Sequence, residues 1–293
     1  MIVDGKKQKV VVTGGAGFIG RHLVAGLQGE GYEVALIDSK DGSTVCDTAA
    51  LECAFAGARF VFHLAALPRV QFTIENPEES HNVNVNGTLS VLEAARRAKV
   101  ERVVFASSSS VYGDPESLPM VETMSARPKS PYGLHKYIGE RYCQLYSTIH
   151  GLSTVCLRYF NVYGPGGTTH ETYPLVIPLF IEQLKSGKPM TITGDGTQTR
   201  DLTHVRDVVR ANILAATGQG VGKGEVINIG AGRNISVNTI AKLIGGPTVY
   251  IAPRLEPHDT LADNSLAKQL LGWEPQISLE EGIEELKRLA QMP

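Results

Sequence analysis

The chain has 293 residues, of which 42% are hydrophobic, and its formal net charge at pH 7 is −2. A chain of this length and composition can bury the core of one large domain, or of a domain with a smaller lobe. The nearly balanced charge provides no general attraction to nucleic acid or to an anionic membrane, so we expect neither as a partner.

The chain shows no targeting, membrane or metal-binding pattern. Its first residues, MIVDGKKQK, lack the apolar core of a signal peptide, and no apolar run approaches the length of a membrane span. We therefore expect a cytoplasmic protein. The cysteines have no zinc-like spacing, which favours free thiols over metal ligands or disulfide bonds. They are Cys46, Cys53, Cys143 and Cys156.

The first predicted elements are a buried strand and a helix that flank a glycine-rich turn. Val10, Val11 and Val12 form an apolar run typical of a parallel strand. Apolar residues then recur at helical spacing from Phe18 to Leu27. The sequence therefore predicts a strand, a turn and a helix at the start of an α/β unit.

Glycines occupy the turn between this strand and helix. Gly14 and Gly15 permit a tight turn, and Gly17 permits close approach of the backbone to a pyrophosphate. Gly20 lets the helix pack against the sheet, and the amides at the helix start would face the negative charge. By itself the pattern is equally consistent with a turn that binds no ligand.

A second strand at 33–38 ends in a carboxylate, Asp38, about twenty residues after the turn. A carboxylate at this position binds the hydroxyl groups of the adenosine ribose and repels a 2′-phosphate. NAD is therefore favoured over NADP as the cofactor. Lys40 is the one nearby residue that would soften this preference, unless it is simply a solvated lysine of the loop.

Alternating helices and strands follow. We predict helices at 48–56 and 83–98 and strands at 60–65 and 102–106. The alternation indicates the α/β class, with a parallel, doubly wound sheet of the Rossmann type. The last of these strands runs into a serine block, Ser107–Ser110, at the edge where such sheets bind ligands.

A further helix carries two residues of chemical interest. It is predicted from Pro131 to about Ile149, with Ser130 as its cap. Tyr132 and Lys136 are four residues apart, so they share one face of the helix.

Beyond residue 164 the predicted elements become shorter and less regular. A strand is predicted at 153–159, before this point, and further strands at 190–193 and 226–229. Helices are predicted at 176–186, 205–216, 237–244 and 279–290. A capping box at Ser278–Glu281 opens the last helix. We expect an NAD-binding domain over 1–164, to which a segment at about 200–230 returns. A smaller C-terminal α/β lobe, mainly 165–293, would bind the substrate.

Tyr132, Lys136 and Ser108 form a candidate acid–base site. Tyrosine is a weak base with a pKa of about 10, but a lysine ammonium and an oxidised nicotinamide would stabilise its phenolate. Tyr132 would then take a proton from a substrate hydroxyl while hydride leaves the same carbon, with Ser108 holding the oxygen. The YxxxK spacing alone more often marks an ordinary helix face, but its combination with the glycine turn and Asp38 favours catalysis.

Motifs in a fixed order cover nearly the whole chain. They are TGGAGFIG, VFHLAA, NVNGTL, ASSSSVYGD, SPYGLHK, LRYFNVYGP, GDGTQTRDLTHVRDV, INIG and TLADNSLAKQLLGW. Their combination resembles the extended short-chain dehydrogenase/reductases and, within them, the nucleotide-sugar epimerase/dehydratase family, most closely its UDP-hexose 4-epimerases. The resemblance implies NAD as cofactor, a UDP-sugar as substrate, and a homodimer formed by the helices at 83–98 and 132–149.

The resemblance also implies roles for individual residues of the cofactor site. The glycine turn would hold the pyrophosphate of NAD, Asp38 its adenosine ribose, and Tyr132 and Lys136 its nicotinamide ribose. The residues implied to line the cofactor are Gly14, Gly17, Phe18, Ile19, Gly20, Asp38, Val45, Leu64, Ala65, Ala66, Asn84, Ser107, Tyr132, Lys136 and Tyr159.

The same resemblance implies a substrate site and no metal. Arg200 and Arg254 would hold the diphosphate, which a protein of this net charge must attract locally, and Glu256 would lie near the ribose. Without the resemblance, arginines in such positions more often form surface ion pairs. The residues implied to contact the substrate are Ser108, Ser109, Asn161, Val176, Thr191, Arg200, Arg254, Glu256 and Thr260, and the catalytic residues are Ser108, Tyr132 and Lys136.

One departure from the family concerns the adenine. Family members usually carry an acid that accepts a hydrogen bond from the adenine amine, and Thr44, followed by Val45, stands at that position. The connection from Asp38 is also short. We therefore expect a weaker grip on the adenine and less permanent retention of NAD.

The residues after Ser108 discriminate between reactions. Related 4,6-dehydratases place an Asp-Glu pair there, and related decarboxylases a glutamate, because their reactions need a further acid or base. Here the positions hold Ser109 and Ser110. We therefore expect redox chemistry at one carbon, with transient oxidation of the sugar at C4, rotation about the diphosphate, and return of hydride to the other face.

Thr260 bears on the identity of the sugar. In related epimerases a bulky side chain at this position excludes N-acetylated sugars and a small one admits them. The sequence thus predicts activity on UDP-GlcNAc and UDP-GalNAc besides UDP-glucose and UDP-galactose, unless Thr260 merely packs within the lobe.

Other functions remain open at this point. Within the enzymes they are UDP-glucuronate 4-epimerase, a 2-epimerase, a 4,6-dehydratase, and an NADPH-dependent reductase that Asp38 argues against. From another class, a non-catalytic nucleotide-binding module would need the cofactor site but not Tyr132.

Overall fold

The structure is a computed structural model that describes residues 2–3, 6–167, 175–252 and 258–292. Its strands are β1 Ile2–Val3, β2 Lys6–Lys7, β3 Lys9–Thr13, β4 Glu33–Ile37, β5 Ala58–His63, β6 Arg102–Ser108, β7 Ser153–Tyr159, β8 Val162–Tyr163, β9 Met190–Thr193, β10 Thr199–Asp201, β11 Thr203–His204, β12 Lys223–Ile229, β13 Asn234–Ser236 and β14 Thr248–Ile251. Its helices are α1 Phe18–Gly29, α2 Thr48–Phe55, α3 Val70–Glu75, α4 Pro77–His81, α5 Gly87–Arg97, α6 Pro131–His150, α7 Val176–Lys185, α8 Val205–Thr217, α9 Val237–Ile244, α10 Ser265–Leu271 and α11 Leu279–Leu289. Short helical turns lie at Ser39–Asp41, Asn82–Asn86 and Ser109–Val111.

The centre of the molecule is a six-stranded parallel sheet in the order β12-β7-β6-β5-β3-β4. Its inner strands are apolar runs, such as Val10–Val12 and Phe60–Phe62, that are buried on both faces. Helices α1, α8 and α10 cover one face and α2, α5 and α6 the other. The predicted α/β class with a doubly wound sheet is therefore confirmed.

A second, smaller core lies beyond the sheet. Helices α7, α9 and α11 contribute Ile177, Ile240 and Ile283 to it, together with the short β9–β14 pair. Strand β12 comes late in the chain, yet it pairs with β7 in the central sheet. The division at residue 164 remains our prediction of the domain organisation. Within the described parts of the chain, no helix has both the length and the apolar character needed to cross a membrane.

Most predicted elements agree with the structure to within a few residues, and three of the differences have a structural reason. Strand β5 ends at His63 rather than at 65, because the chain after it packs against Gly14 of the glycine turn. Ser107 and Ser108 belong to β6, since they pair with β7 and do not yet form a loop. The helix predicted from 83 opens with a π-type turn at Asn82–Asn86, in which the Asn84 side chain binds the backbone of Leu67.

The parallel register brings the carboxyl ends of the inner strands to one edge of the sheet. Residue pairs Thr13–His63 and Ser108–Tyr159 lie side by side at these ends. The loops that follow β3, β4, β5, β6 and β7 therefore meet at one edge, as expected for the ligand site of an open α/β sheet.

Candidate active site

The glycine turn between β3 and α1 has the shape of a phosphate cradle. Gly14 adopts a φ of +72°, and a Cβ there would lie 2.7 Å from the Ala65 nitrogen. A Cβ on Gly20 would collide with the carbonyl oxygen of Gly14. Gly17, the N-cap of α1, has an ordinary φ of −72° and no side chain that caps the first turn. The amides at the start of α1 are thus left for an anion, which fits the pyrophosphate of a dinucleotide.

Asp38 secures this turn. Its carboxylate accepts hydrogen bonds from the Ala16 amide at 2.9 Å and from the Lys40 amide at 3.1 Å. The Lys40 ammonium donates to the Ala16 carbonyl at 3.2 Å. Since a carboxylate has about four acceptor positions, Asp38 retains capacity for ribose hydroxyls, and its negative charge opposes a 2′-phosphate.

The other predicted cofactor residues surround this edge. Val45 is buried against Gly87, while the Thr44 hydroxyl accepts the Cys46 amide at 3.1 Å. Phe18, Ile19 and Gly20 form the first turn of α1, and Leu64, Ala65 and Ala66 follow β5 directly. Asn84 accepts from the Leu67 amide at 2.7 Å and donates to its carbonyl at 3.1 Å, so it clamps the loop after β5.

His63 is a buried residue of this edge that the sequence did not single out. Its Nδ1 lies 2.8 Å from the Thr13 hydroxyl and its Nε2 lies 2.9 Å from the Thr88 hydroxyl. Because Thr88 donates to the Asn84 carbonyl, Nε2 must carry the proton and Nδ1 must accept. Burial, together with Lys136, lowers the pKa of His63 to about 3, so the ring is a neutral link between β3, β5 and α5.

The predicted catalytic residues are brought together by α6 and β6. The Ser130 hydroxyl accepts the Gly133 amide and caps α6, which confirms the predicted start. The Ser108 hydroxyl lies near the phenol of Tyr132, where hydrogen bonding to the phenolate lowers the pKa of Tyr132. The Lys136 ammonium lies 5.8 Å from the centre of the Tyr132 ring and donates to the Ala106 carbonyl at 2.6 Å.

The electrostatics of these groups follow from their burial. Burial raises the pKa of Tyr132 to about 12, although the hydrogen bond from Ser108 lowers it. Burial lowers the pKa of Lys136 to about 8, while Cys143 and Glu140 raise it. At neutral pH the site therefore holds a phenol beside an ammonium ion.

The serines after β6 differ in their partners. Ser110 donates from both its amide and its hydroxyl to the Ser108 oxygen, at 3.2 and 3.0 Å. Ser107 donates to Glu140 at 2.5 Å. Ser109 begins the short helical turn that follows. Tyr159, at the end of β7, is buried and donates to Asn212 at 2.9 Å, and burial holds the pKa of its phenol above the usual range.

The predicted substrate residues that the structure describes lie at the sheet edge and in the smaller lobe. Asn161 adopts a φ of +30° and donates to the Asp201 carbonyl at 2.9 Å and to the Thr260 hydroxyl at 3.1 Å. Arg200 donates to the Thr199 and His258 carbonyls at 2.9 and 3.0 Å. Val176 begins α7, Thr191 accepts from the Gln183 amide group, and Arg254 and Glu256 lie outside the described residues.

Asp201 is a second residue that the sequence did not single out. Its buried carboxylate accepts the amides of Ala231, Gly232 and Ala262 at 2.7, 3.0 and 2.9 Å. Burial raises its pKa to about 6, although these three hydrogen bonds lower it. Asp201 thus joins three segments that flank Asn161 and Thr260. The only sequence signal was an acid directly after Arg200.

All four cysteines are free, and no cluster of potential metal ligands occurs among the described residues. Cys143 and Cys156 are buried within the core formed by α2, α5 and α6.

Comparison with known proteins supplies the family context. The model of the NAD dependent epimerase/dehydratase family matches residues 10–230. A putative UDP-glucose 4-epimerase of Methanocaldococcus jannaschii is 37% identical over 301 residues, covering 94% of this chain and 95% of that protein.

Two solved structures are similar to this chain over nearly its whole length. The UDP-glucose 4-epimerase of Thermotoga maritima, solved with UDP-glucose, has a TM-score of 0.89 and 35% identity, covering 96% of this chain and 99% of that chain. The UDP-N-acetylglucosamine 4-epimerase of Methanobrevibacter ruminantium, solved with UDP-N-acetylmuramic acid, has a TM-score of 0.90 and 31% identity, covering 98% and 100%.

Substitution of Gly17 by alanine tests the phosphate cradle. A Cβ at Gly17 would meet only the Gly14 carbonyl oxygen, at 3.2 Å, which need shift by only a few tenths of an ångström, so we expect the stability of cofactor-free Gly17→Ala to stay within about 1 kcal/mol of the unmodified protein. The added methyl would occupy the surface that faces the pyrophosphate. We expect the Kd for NAD, measured by calorimetry, to rise at least about tenfold, or about 1.4 kcal/mol.

Gly20→Ala is the matched control, because its Cβ has no room within the protein itself. We expect it to lower the unfolding temperature of the cofactor-free protein, which Gly17→Ala does not. Undiminished NAD binding by Gly17→Ala would contradict the proposed cradle.

Proposed function

The chain belongs to the NAD dependent epimerase/dehydratase family, and from this premise we propose that it catalyses the NAD-dependent 4-epimerisation of a UDP-hexose. The observation that carries the proposal is the contact of Tyr132 with Ser108 beside Lys136 at the sheet edge. Ser109 and Ser110 supply no carboxyl group as a further acid or base, which favours epimerisation over elimination of water.

In the proposed mechanism, Tyr132 takes the proton of the sugar 4-hydroxyl and later returns it to the other face. When bound, NAD supplies the acceptor and the donor of hydride for C4 of the sugar. Holding a phenolate at pH 7 with a pKa of about 12 costs about 7 kcal/mol. Lys136 offsets part of this cost, since its ammonium ion lies 5.8 Å from the centre of the ring.

Ser108 orients the reacting oxygen. Because the Ser110 hydroxyl donates to the Ser108 oxygen at 3.0 Å, the proton of Ser108 is left to donate to Tyr132 or to the sugar oxygen. Hydrogen bonds in such a chain strengthen one another. We propose that Ser110 thereby prepares Ser108 as a donor.

The nucleotide remains bound while the sugar turns. We propose that Arg200 and Arg254 hold the diphosphate and that Glu256 lies near its ribose, as the family resemblance implies. Asn161, Val176 and Thr191 would line the path of the nucleotide sugar. Anchoring the diphosphate separates positioning from chemistry, so the 4-keto sugar rotates without leaving the site.

Tyr132→Phe tests the proposed base. We expect conversion of UDP-glucose to UDP-galactose, resolved by chromatography, to fall by about 10² to 10⁴, the usual contribution of a general base. NAD binding and the unfolding temperature should stay near those of the unmodified protein. Tyr137→Phe, on the same helix, is the control and should keep its activity.

The products also decide between reactions. No epimer from a folded, NAD-bound protein would exclude the proposed function. A stable 4-keto-6-deoxy product would instead identify a 4,6-dehydratase. Activity that depends on added NAD would support the weak adenine contact expected from Thr44.

We further propose that N-acetylated UDP-hexoses are substrates. A neighbour in structure is a UDP-N-acetylglucosamine 4-epimerase, and Thr260 is small. Thr260 is 9% exposed, and its hydroxyl accepts from Asn161 and from the Asp201 amide at 3.1 and 3.0 Å. These contacts also suit the packing role considered for Thr260, so the selectivity needs a direct test.

Thr260→Tyr and Thr260→Ser provide this test. The tyrosine variant loses the internal hydrogen bonds, so kcat/KM should fall for both UDP-glucose and UDP-GlcNAc. The ratio of the two values removes this shared loss. We expect the ratio to turn against UDP-GlcNAc by about 10- to 200-fold in Thr260→Tyr and to change little in Thr260→Ser. Absence of UDP-GlcNAc turnover by the unmodified protein would refute the proposal.

We also propose a cytoplasmic homodimer, in which α5 and α6 form the contact. Support comes from an exposed apolar face on α6 that carries Leu134, Leu145 and Ile149, extended by Val70 and Ile74 of α3. Contiguous apolar surface of this kind is typical of protein interfaces. The substrate and cofactor, which are small metabolites, require no membrane attachment.

Ile149→Lys tests the dimer. Ile149 is 67% exposed, so its replacement should leave the fold intact while placing a charge in the contact. We expect sedimentation velocity to change from dimer to monomer. Leu289→Lys, at a 60% exposed position of α11, is the control and should remain dimeric. A monomeric unmodified protein would contradict the proposal.

A further inference from the structure

The inner face of α6 carries a third polar residue, Glu140, one turn beyond Lys136. Tyr132, Lys136 and Glu140 are spaced by four residues and therefore form one row. The last two reach successive residues of β6: Lys136 donates to the Ala106 carbonyl at 2.6 Å, and Glu140 accepts from the Ser107 hydroxyl at 2.5 Å. The row thus runs along the strand end that carries Ser108.

Glu140 also joins this row to β7. It is 1% exposed, and Arg158 binds it through two hydrogen bonds of 2.8 Å, one to each carboxylate oxygen. Arg158 lies beside Ser107 in the sheet and stacks on the Tyr112 ring at 4.5 Å. A single carboxylate therefore fixes α6 to the carboxyl ends of both strands.

Stability alone does not account for this ion pair. The cost of removing two charges from water about equals their mutual attraction, so apolar residues of similar volume serve a core equally well. The same buried region holds a second cation, Lys136, on the next turn of the helix. One carboxylate thus faces two buried cations.

We propose that Glu140 is a positioning residue of the reaction: its carboxylate is the counter-charge that keeps Lys136 an ammonium ion beside Tyr132. Through Ser107 it also holds the end of β6, and with it Ser108. This inference rests on the roles proposed above for Tyr132 and Lys136.

The surroundings of Lys136 support this assignment. Burial lowers the pKa of Lys136 to about 8, while Cys143 and Glu140 raise it. His63 is neutral, and His135 directly precedes Lys136 on α6. Among the described residues, the titratable or charged groups that face Lys136 or its partner Glu140 are His63 on β5, Tyr132, His135 and Cys143 on α6, and Cys156 and Arg158 on β7. Glu140 is the only carboxylate of this group.

The pH profile of kcat for UDP-glucose distinguishes this role from a structural one. The reaction needs protonated Lys136, so activity falls as the pH rises past the pKa of that ammonium. Glu140→Gln removes the counter-charge, and we expect the alkaline limb to move to lower pH by about one unit. Glu140→Asp keeps the charge, so its alkaline limb should stay in place even where kcat falls.

The double variant Glu140→Gln/Arg158→Met guards against misfolding, because neither charge is left buried alone. The groups that shift the pKa of Lys136 include Glu140 but not Arg158, so we expect the limb of the double variant to remain below that of the unmodified protein. A structural role alone would lower the unfolding temperatures of the single variants and leave the limb unchanged in all three. That result would overturn the proposal.

A second measurement works without catalysis. The folded pKa of Lys136 lies below its usual 10.5, so between about 8 and 10.5 the unfolded chain binds one proton more, and the free energy of unfolding rises with pH. Comparison of each protein with its Lys136→Met counterpart isolates this rise. We expect it to begin at lower pH in Glu140→Gln.

The two readouts separate the two proposals. An unmodified protein that makes no epimer would end the proposed function, yet the unfolding measurement would still test the charge of Lys136. If the free energy of unfolding begins to rise at the same pH with and without Glu140, that result alone would overturn the inference.

Discussion

The site depends on one close approach between two stretches of backbone. Gly14, after β3, faces Ala65, after β5, at a distance that leaves no room for a Cβ. Thr13 secures the approach, since its hydroxyl accepts the Ala65 amide at 3.3 Å and donates to His63. The start of α1 is thereby fixed relative to β5. Because β5 pairs with β6, the same contact sets the distance from the phosphate cradle to Ser108.

Buried polar groups reinforce this edge, whereas the cores behind it are apolar. His63, Asp201 and Glu140 are each almost completely buried, and each is held by several hydrogen bonds. Apolar residues would stabilise a core equally well, so these polar groups matter because their hydrogen bonds are directional. Hydrogen bonds fix the orientation of a strand end or a loop, which apolar contacts do only approximately. Each of the three groups lies next to a residue with a proposed role.

The fold was largely predictable from the sequence because its central strands are buried on both faces. Val10–Val12 is a continuous apolar run and the strand at 153–159 has an apolar centre at 155–157, and the bounds of both strands were close to those observed. Strands β10 and β13 were not predicted, since they have three residues each and form only through mutual pairing. The π-type turn before α5 was missed for a similar reason: it depends on the contact between Asn84 and the distant Leu67.

The candidate site was predictable where its residues lie close together in the chain. Tyr132 and Lys136 are one helical turn apart, so their spacing alone placed them on one face. Asp201 gave no such signal, and the burial of Glu140 gave none although it lies one turn beyond Lys136, because their hydrogen-bond partners lie up to 61 positions away in the chain. A buried acid gives no local signal: its partners, and hence its burial, are known only once the sheet has formed.

The number of proton carriers limits the chemistry that the site supports. Elimination of water requires one group to remove a proton and another to protonate the departing hydroxyl, and related dehydratases use a carboxyl pair for this. Ser109 and Ser110 are too weakly acidic to replace it. Tyr132 is a single carrier, which can take one proton and return the same proton. A reaction that removes and restores one proton and one hydride at the same carbon matches this capacity, and inversion of a hydroxyl group is such a reaction.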